Sequence, residues 1–268
     1  MSQTNAAIEY DANDQMIVSA AKLIRNGEAA YVGVGLPMVA ALLAKRTHAP
    51  DCTGVIENGI IRTEGFELPA GTDTLGTQFH ADKLAGLNYI SYLGQAGFIS
   101  LGFIGAGQID RWGNVNDTVI GDYHNPVHRF PGSGGGNDVM SFCHRTCVIL
   151  NQSRRRMPER VDFNTCPGYL DGKPGQREAL GMRAGTGPVA LVTDLGCYGF
   201  EDRELVLESV HTGCGVTLEQ VKAETGWDLK ISKNLKDTPP PTADELRILR
   251  ETTAPLLARR RRTDMEAK

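Results

Sequence analysis

Short apolar runs punctuated by glycine alternate along the chain with stretches in which apolar residues recur every three or four positions. The first such stretch predicts a helix from about Asp14 to Arg25, with Asp11 or Asn13 as its cap and Asn26-Gly27 as its stop. Ala29-Ala30-Tyr31-Val32-Gly33-Val34 then reads as a buried strand. Gly35-Leu36-Pro37 opens a second helix that runs to Arg46 with proline in its first turn, and a further strand spans Cys52 to Glu57. Strand, helix and strand in so short a span make a βαβ unit, which implies parallel pairing and a right-handed crossover.

The pattern loosens from Arg62 to Asp82, where Gly, Thr and acidic residues predict a long functional loop. Beyond it the periodicity predicts a short helix within Asn88 to Phe98, a strand from Ile99 to Ile104, and a hairpin turn over Asp110 to Asn116 with Gly113-Asn114 at its centre. A helix from Asp138 follows, then strands at Cys147 to Leu150 and Val189 to Thr193. A helix from Thr217, capped by a Thr217-x-x-Gln220 box, leads to a strand around Leu229 to Ser232. Pro239-Pro240-Pro241 then precedes a last helix from Thr242, with Glu245 in the capping-box position. No internal repeat interrupts this order, so the expectation is one α/β domain over residues 1–268, with a short polar N-terminal segment and a basic C-terminal tail at Arg259–Arg262.

Composition narrows the function classes. With 41% hydrophobic and 22% charged residues in 268, the chain has the balance of a globular protein able to bury a core. A net charge of -4 predicts no general affinity for nucleic acid. The polar, acidic start and the lack of any apolar run of spanning length predict neither a signal peptide nor a membrane segment, and hence a cytoplasmic protein. The six cysteines show no CxxC pair and read as reduced and structural.

Two positions carry candidate chemistry. Val55-Ile56-Glu57-Asn58-Gly59-Ile60-Ile61 sets a lone carboxylate among β-branched neighbours, just where Asn58-Gly59 turns the chain. Glu57 is therefore expected at a strand's end, where α/β proteins place their chemistry. The second position is Gly132-Ser133-Gly134-Gly135-Gly136-Asn137-Asp138, entered by Arg129-Phe130-Pro131 and followed by a helical pattern. Consecutive glycines before a helix leave backbone N–H groups open to an oxyanion or a phosphate. Gly33-x-Gly35 lacks the third glycine of a dinucleotide fingerprint, Met38 standing in its place, and serves as a tight strand-to-helix turn near a site. His124 and His128 are four apart, but Pro126 between them breaks the helix that would align them on a metal. Arg154, Arg155 and Arg156 read as solvated surface, and Cys143 and Cys147 as core.

Glu57-Asn58-Gly59 and the glycine loop occur with Gly33-Val34-Gly35-Leu36-Pro37-Met38, Arg46-Thr47-His48-Ala49-Pro50 and the long motif from Gly105 through Asp110-Arg111-Trp112-Gly113 to Asn116. In this order and over nearly the whole chain they resemble the β subunits of class I (family I) CoA-transferases, especially the glutaconate CoA-transferase group. Ile56 before the glutamate, where 3-oxoacid transferases commonly have serine, favours the glutaconate group. The resemblance implies an open, mainly parallel α/β sheet flanked by helices. It also implies a separately encoded α subunit in an α2β2 enzyme, with the site near the subunit interface. Glu57 matches the catalytic glutamate, which attacks an acyl-CoA to form a glutamyl anhydride and then a glutamyl-CoA thioester. Gly134, Gly135 and Gly136 would offer N–H groups to the oxyanion and the CoA thioester, with Asn58, Gly59, Asn137 and Asp138 in support, the last two fixing the loop and capping its helix. Such chemistry takes CoA thioester and carboxylic acid, the latter expected to be dicarboxylic, as substrates, and calls for no metal and no tightly bound cofactor. Glu64 and Glu67 are rival carboxylates without the strand-end setting. Two alternatives remain: an acyl-CoA hydrolase, decarboxylase or C–C lyase on the same scaffold, or a noncatalytic partner subunit.

Overall fold

A computed structural model describes residues 9–33, 35–63 and 75–253. Val34, Glu64, Glu67, most of the expected long loop and the basic run Arg259–Arg262 lie outside the described residues. The strands are β1 (Ala29–Val32), β2 (Thr53–Ile56), β3 (Ile60–Arg62), β4 (Lys83–Leu84), β5 (Leu101–Gly105), β6 (Gln108–Ile109), β7 (Val115–Asn116), β8 (Val119–Gly121), β9 (Pro126–Arg129), β10 (Arg145–Leu150), β11 (Pro188–Thr193), β12 (Gly196–Glu201), β13 (Glu204–Val210) and β14 (Lys230–Asp237). The helices are α1 (Ala12–Ala21), α2 (Leu36–Arg46), α3 (Leu87–Gln95), α4 (Gly136–Phe142), α5 (Gln176–Ala179) and α6 (Leu218–Ala223), with further helix over 243–253.

Ten strands form one sheet in the order β14-β13-β12-β11-β10-β5-β1-β2-β3-β4. Its centre, β11-β10-β5-β1-β2, is parallel throughout, while β12 and β3 join antiparallel at either side. Parallel strands covered on both faces need apolar residues at every position, and strand alternation sorts them into two cores. Cys147 and Ile149 of β10, with Ala30, Val32, Leu101 and Phe103, pack against α1, α2 and Leu249. Val148 and Leu150, with Tyr31, Val55, Ile104 and Leu191, pack on the other face against Ile90 of α3 and Val139 and Met140 of α4. The fold is thus an open, mainly parallel α/β sheet flanked by helices, as the sequence implied.

Most expected elements form, and their limits shift for local reasons. Helix α1 begins where Asp11 and Asp14 bond reciprocally as a capping box, but it ends at Ala21, four residues before the expected stop. Gly27, at φ +77°, instead turns the chain into β1. The second helix runs as expected, with Gly35 at φ +90° before it and Pro37 in its first turn. Thr217 accepts from Gln220 N–H to start α6, and Thr242 and Glu245 form the expected capping box. The hairpin β12–β13 had no counterpart in the sequence reading. It closes through Asp202 and Arg203, both at positive φ, without the Asn-Gly pair that usually announces such a turn. β14 extends well beyond the expected Leu229 to Ser232 because it pairs parallel with β13.

The residues read as structural are packed as such. Cys143 and Cys147 are buried thiols, and all six cysteines are free. His211 is buried, with Nε2 donating to the Thr193 carbonyl (2.9 Å) and Nδ1 pairing with the Thr238 hydroxyl (2.8 Å). In the β6–β7 hairpin the buried Asp110 carboxylate accepts from Trp112 N, Asn114 N and Asn114 Nδ2, so the long Asp110-to-Asn116 motif is scaffold.

Candidate active site

β2 ends at Ile56, and the pairing of Ile56 with Ile60 leaves Glu57, Asn58 and Gly59 as the turn. Gly59 is required there for two reasons. It stands at φ +109°, and any Cβ would overlap the Ala85 carbonyl on the neighbouring segment. Its N–H bonds back to Ile56 O (3.1 Å) and its carbonyl accepts from Ala85 N (2.8 Å), so the turn is clamped on both sides. Glu57 is held half-buried at the carboxyl end of β2, with exposed Asn58 beside it. Open α/β sheets bind ligands outside the carboxyl ends of their strands.

The glycine loop closes over that carboxylate from the other side. Gly132 and Gly134 take positive φ (+105° and +48°) and turn the chain into α4. Gly135 N–H then donates to Glu57 Oε2 at 2.7 Å. Gly135 itself has ordinary backbone geometry (φ -78°, ψ -1°), so its identity is set by proximity alone. A Cβ there would stand 2.5 Å from Glu57 Oε2 and 2.7 Å from the Tyr31 hydroxyl.

The three glycines are not equivalent. Gly136 N–H is already taken by Ser133 O (2.7 Å), so it is not an open donor, while Gly134 lies exposed beside the carboxylate. Asn137 and Asp138 fix the helix without capping it. Asn137 Nδ2 donates to Thr165 O (2.8 Å), Asp138 Oδ2 accepts from Ser91 Oγ (2.5 Å), and no side chain caps α4. The expected capping is corrected accordingly: Gly135 occupies the cap position, and a glycine has no side chain to offer.

Around Glu57 lies a cavity of about 420 Å³ at the carboxyl ends of β1, β2 and β5. Its walls include Gly33 and Pro37 from the β1–α2 turn, Ile104 and Gly105 from β5, and Phe130 before the glycine loop. Gly107 packs so closely on the Phe130 ring that a Cβ would overlap it, and its N–H donates to Asp117 Oδ1 (2.7 Å). Burial pushes the Asp117 carboxyl upward against that hydrogen bond and the Arg156 charge. Arg156, read as solvated, donates instead to the carbonyls of Ala106 (2.7 Å) and Asn151 (3.2 Å). His124 and His128 lie exposed around the β8–β9 hairpin.

Three residues that the sequence did not single out belong to this site. Tyr31 reaches the cavity from β1, its phenol pushed above its usual range first by burial and then by the Glu57 charge. Asp117 is the second cavity carboxylate. Arg177, only 4% exposed, locks α4 from behind by donating to the carbonyls of Met140 (2.8 Å), Pro167 (2.6 Å) and Gly168 (2.8 Å). No helix among the described residues is long and apolar enough to cross a membrane.

With this geometry in place, the sequence model described as Coenzyme A transferase matches residues 13–224. The chain belongs to the coenzyme A transferase family. It is 39% identical over 248 residues to the B subunit of the 3-oxoadipate CoA-transferase of Pseudomonas knackmussii, covering 91% of this chain and 94% of the relative. It is 35% identical over 253 residues to the B subunit of the glutaconate CoA-transferase of Acidaminococcus fermentans, covering 92% and 93%. The crystal structure of glutaconate coenzyme A-transferase from that organism superposes with a TM-score of 0.83 at 33% identity, over 91% of this chain and 95% of that one. The decarboxylase AibA/AibB shares the fold at a TM-score of 0.78 and 23% identity, over 90% and 94%. The chain is a CoA-transferase β subunit, the type these relatives represent.

Proposed function

We propose that this chain, together with a separate α subunit, moves CoA between an acyl-CoA and a carboxylic acid through covalent intermediates on Glu57. The observation that carries this reading is the 2.7 Å hydrogen bond from Gly135 N–H to Glu57 Oε2 at the mouth of β2. The bond fixes one carboxylate oxygen and leaves the other toward the cavity, as a nucleophile requires. That free oxygen attacks the thioester carbonyl, the C–S bond breaks, and CoA leaves as thiolate with the electron pair. The thiolate then attacks the Glu57 carbonyl of the resulting anhydride and expels the donor's carboxylate, leaving a glutamyl-CoA thioester. The acceptor acid reverses both steps. Gly135 N–H lies where negative charge forms on the glutamyl oxygen, and apolar Ile104, Val139 and Phe130 restrict water near an intermediate that hydrolysis would waste.

The acceptor in this reading is dicarboxylic, on the support of relatives named for 3-oxoadipate and glutaconate. CoA thioester enters as substrate, and the steps need no metal and no bound cofactor. An α2β2 assembly working in the cytoplasm fits relatives that are named as one subunit of a larger enzyme.

The test is to co-express the chain with its α subunit, incubate the complex with acyl-CoA and a dicarboxylate, trap with borohydride or hydroxylamine, and map the label by mass spectrometry. Labelling at Glu57 that depends on acyl-CoA is the expected result. An active complex with unlabelled Glu57, or acyl-CoA consumption independent of the acceptor, overturns the reading.

A further inference from the structure

The register of the sheet sets a phenol against Glu57. Tyr31 on β1 pairs with Val55 on β2. Parallel partners point to the same face, and Glu57, two residues beyond Val55, returns to it. The Tyr31 side chain is 6% exposed and lines the Glu57 cavity. Its Oη and Glu57 Oε2 converge on a single point above Gly135, at 2.7 Å and 2.5 Å. Buried tyrosine hydroxyls generally find a hydrogen-bond partner. This one makes no hydrogen bond among the described residues. Burial and the Glu57 charge hold it protonated, so it faces the cavity as a donor.

Building on the acyl-transfer reading above, we propose that Tyr31 is a catalytic residue whose O–H donates to the Glu57 oxygen that becomes an oxyanion when CoA thiolate attacks the glutamyl anhydride. In that step a bond forms between the CoA sulfur and Glu57 Cδ, and the carbonyl π pair moves onto the oxygen. Collapse restores the carbonyl and breaks the bond to the bridging oxygen, which leaves with its electron pair as the donor's carboxylate. One negative charge enters on sulfur and one departs on carboxylate. Tyr31 keeps its proton throughout. Gly135 N–H already holds the oxygen in the resting carboxylate. The phenol's contact forms only as Cδ becomes tetrahedral and its oxygen leaves the carboxyl plane. An interaction absent from the ground state raises kcat and leaves KM in place.

The experiment is rapid-quench mass spectrometry of the complex with its α subunit, wild type against Tyr31→Phe, following glutamyl-CoA adduct on Glu57 after mixing with acyl-CoA. Phenylalanine keeps the ring and removes one oxygen that has no partner in the fold, so assembly and melting temperature should not change. Adduct formation and kcat should fall about 10- to 100-fold with KM for acyl-CoA within about twofold of wild type, as expected for loss of a hydrogen bond to a charged group. Adduct forming in Tyr31→Phe at the wild-type rate, or a change confined to KM, overturns the role assigned to the phenol. A wild-type complex that turns over with no adduct on Glu57 overturns the acyl-transfer reading, and the role of Tyr31 with it.

Discussion

Replacing Gly135 by alanine isolates the contact on which the site depends. The backbone at 135 (φ -78°, ψ -1°) suits alanine, which also favours helix more than glycine does, so the fold carries no strain from the change. The added methyl would stand 2.5 Å from Glu57 Oε2, 2.7 Å from Tyr31 Oη and 3.2 Å from Glu57 Cβ. To reach ordinary van der Waals contact the carboxylate oxygen must retreat by about 0.9 Å, which also lengthens its 2.7 Å bond to Gly135 N–H beyond use. Loss of a hydrogen bond to a charged group costs about 1.5–3 kcal/mol, or about 10- to 100-fold in rate. Misplacing a nucleophile by about 1 Å costs about another 100-fold. The expected fall in kcat/KM of the assembled enzyme is therefore about 10³-fold or more, with an unchanged melting temperature. Gly86→Ala is the control. Its φ is -81° and open space surrounds it, so activity should stay within about twofold of wild type. If Gly135→Ala retained more than about a third of wild-type kcat/KM, the close approach of loop and carboxylate would not govern catalysis, and the role given to Gly135 would be refuted.

Glu57→Gln keeps the shape of the turn and the acceptor for Gly135 N–H but removes the nucleophile, so transfer should fall by at least about 10³-fold while co-purification with the α subunit persists. Retained transfer would sink the assignment. Arg177→Met leaves the carbonyls of Met140, Pro167 and Gly168 without their donor, and denaturant titration should show a loss of about 3 kcal/mol, together with reduced activity as α4 loosens. His211 has its pKa lowered by burial, so below the 6.5 of a free imidazole the unfolded chain binds the proton more readily than the folded one. Stability contributed by the neutral ring is full above that value and declines as pH falls through it. Urea midpoints for wild type should therefore drop from about pH 7.5 to about pH 5.5 more steeply than for His211→Gln, and parallel slopes would contradict the assignment.

Much of this site was legible in the order of residues. Two β-branched residues on each side of Glu57 and the Asn-Gly pair after it describe a strand end and a turn, and both form. Gly134-Gly135-Gly136 marked a backbone surface, because residues without side chains have no other common use before a helix. Which of the three N–H groups serves the carboxylate was not legible. Ser133 O takes the one at Gly136, and that choice depends on the detailed winding of the loop. The capping expected of Asn137 and Asp138 failed because partners on distant segments, Thr165 and Ser91, hold those side chains.

Sequence by itself determined the elements whose signals are local. These are the capping boxes at Asp11 and Thr242, the proline start of α2, the apolar runs of the central strands and the strand-end glutamate. Those depend on torsional preference and on which groups lie within one turn of chain. Only the tertiary structure decided that Tyr31 faces Glu57, that Asp117 joins the cavity wall and that Arg177 anchors α4, since each depends on the register between strands or on contacts across tens of residues. The edge hairpin β12–β13 belongs to this second group: its turn residues carry no strong local preference, and pairing with β11 and β14 holds it in place.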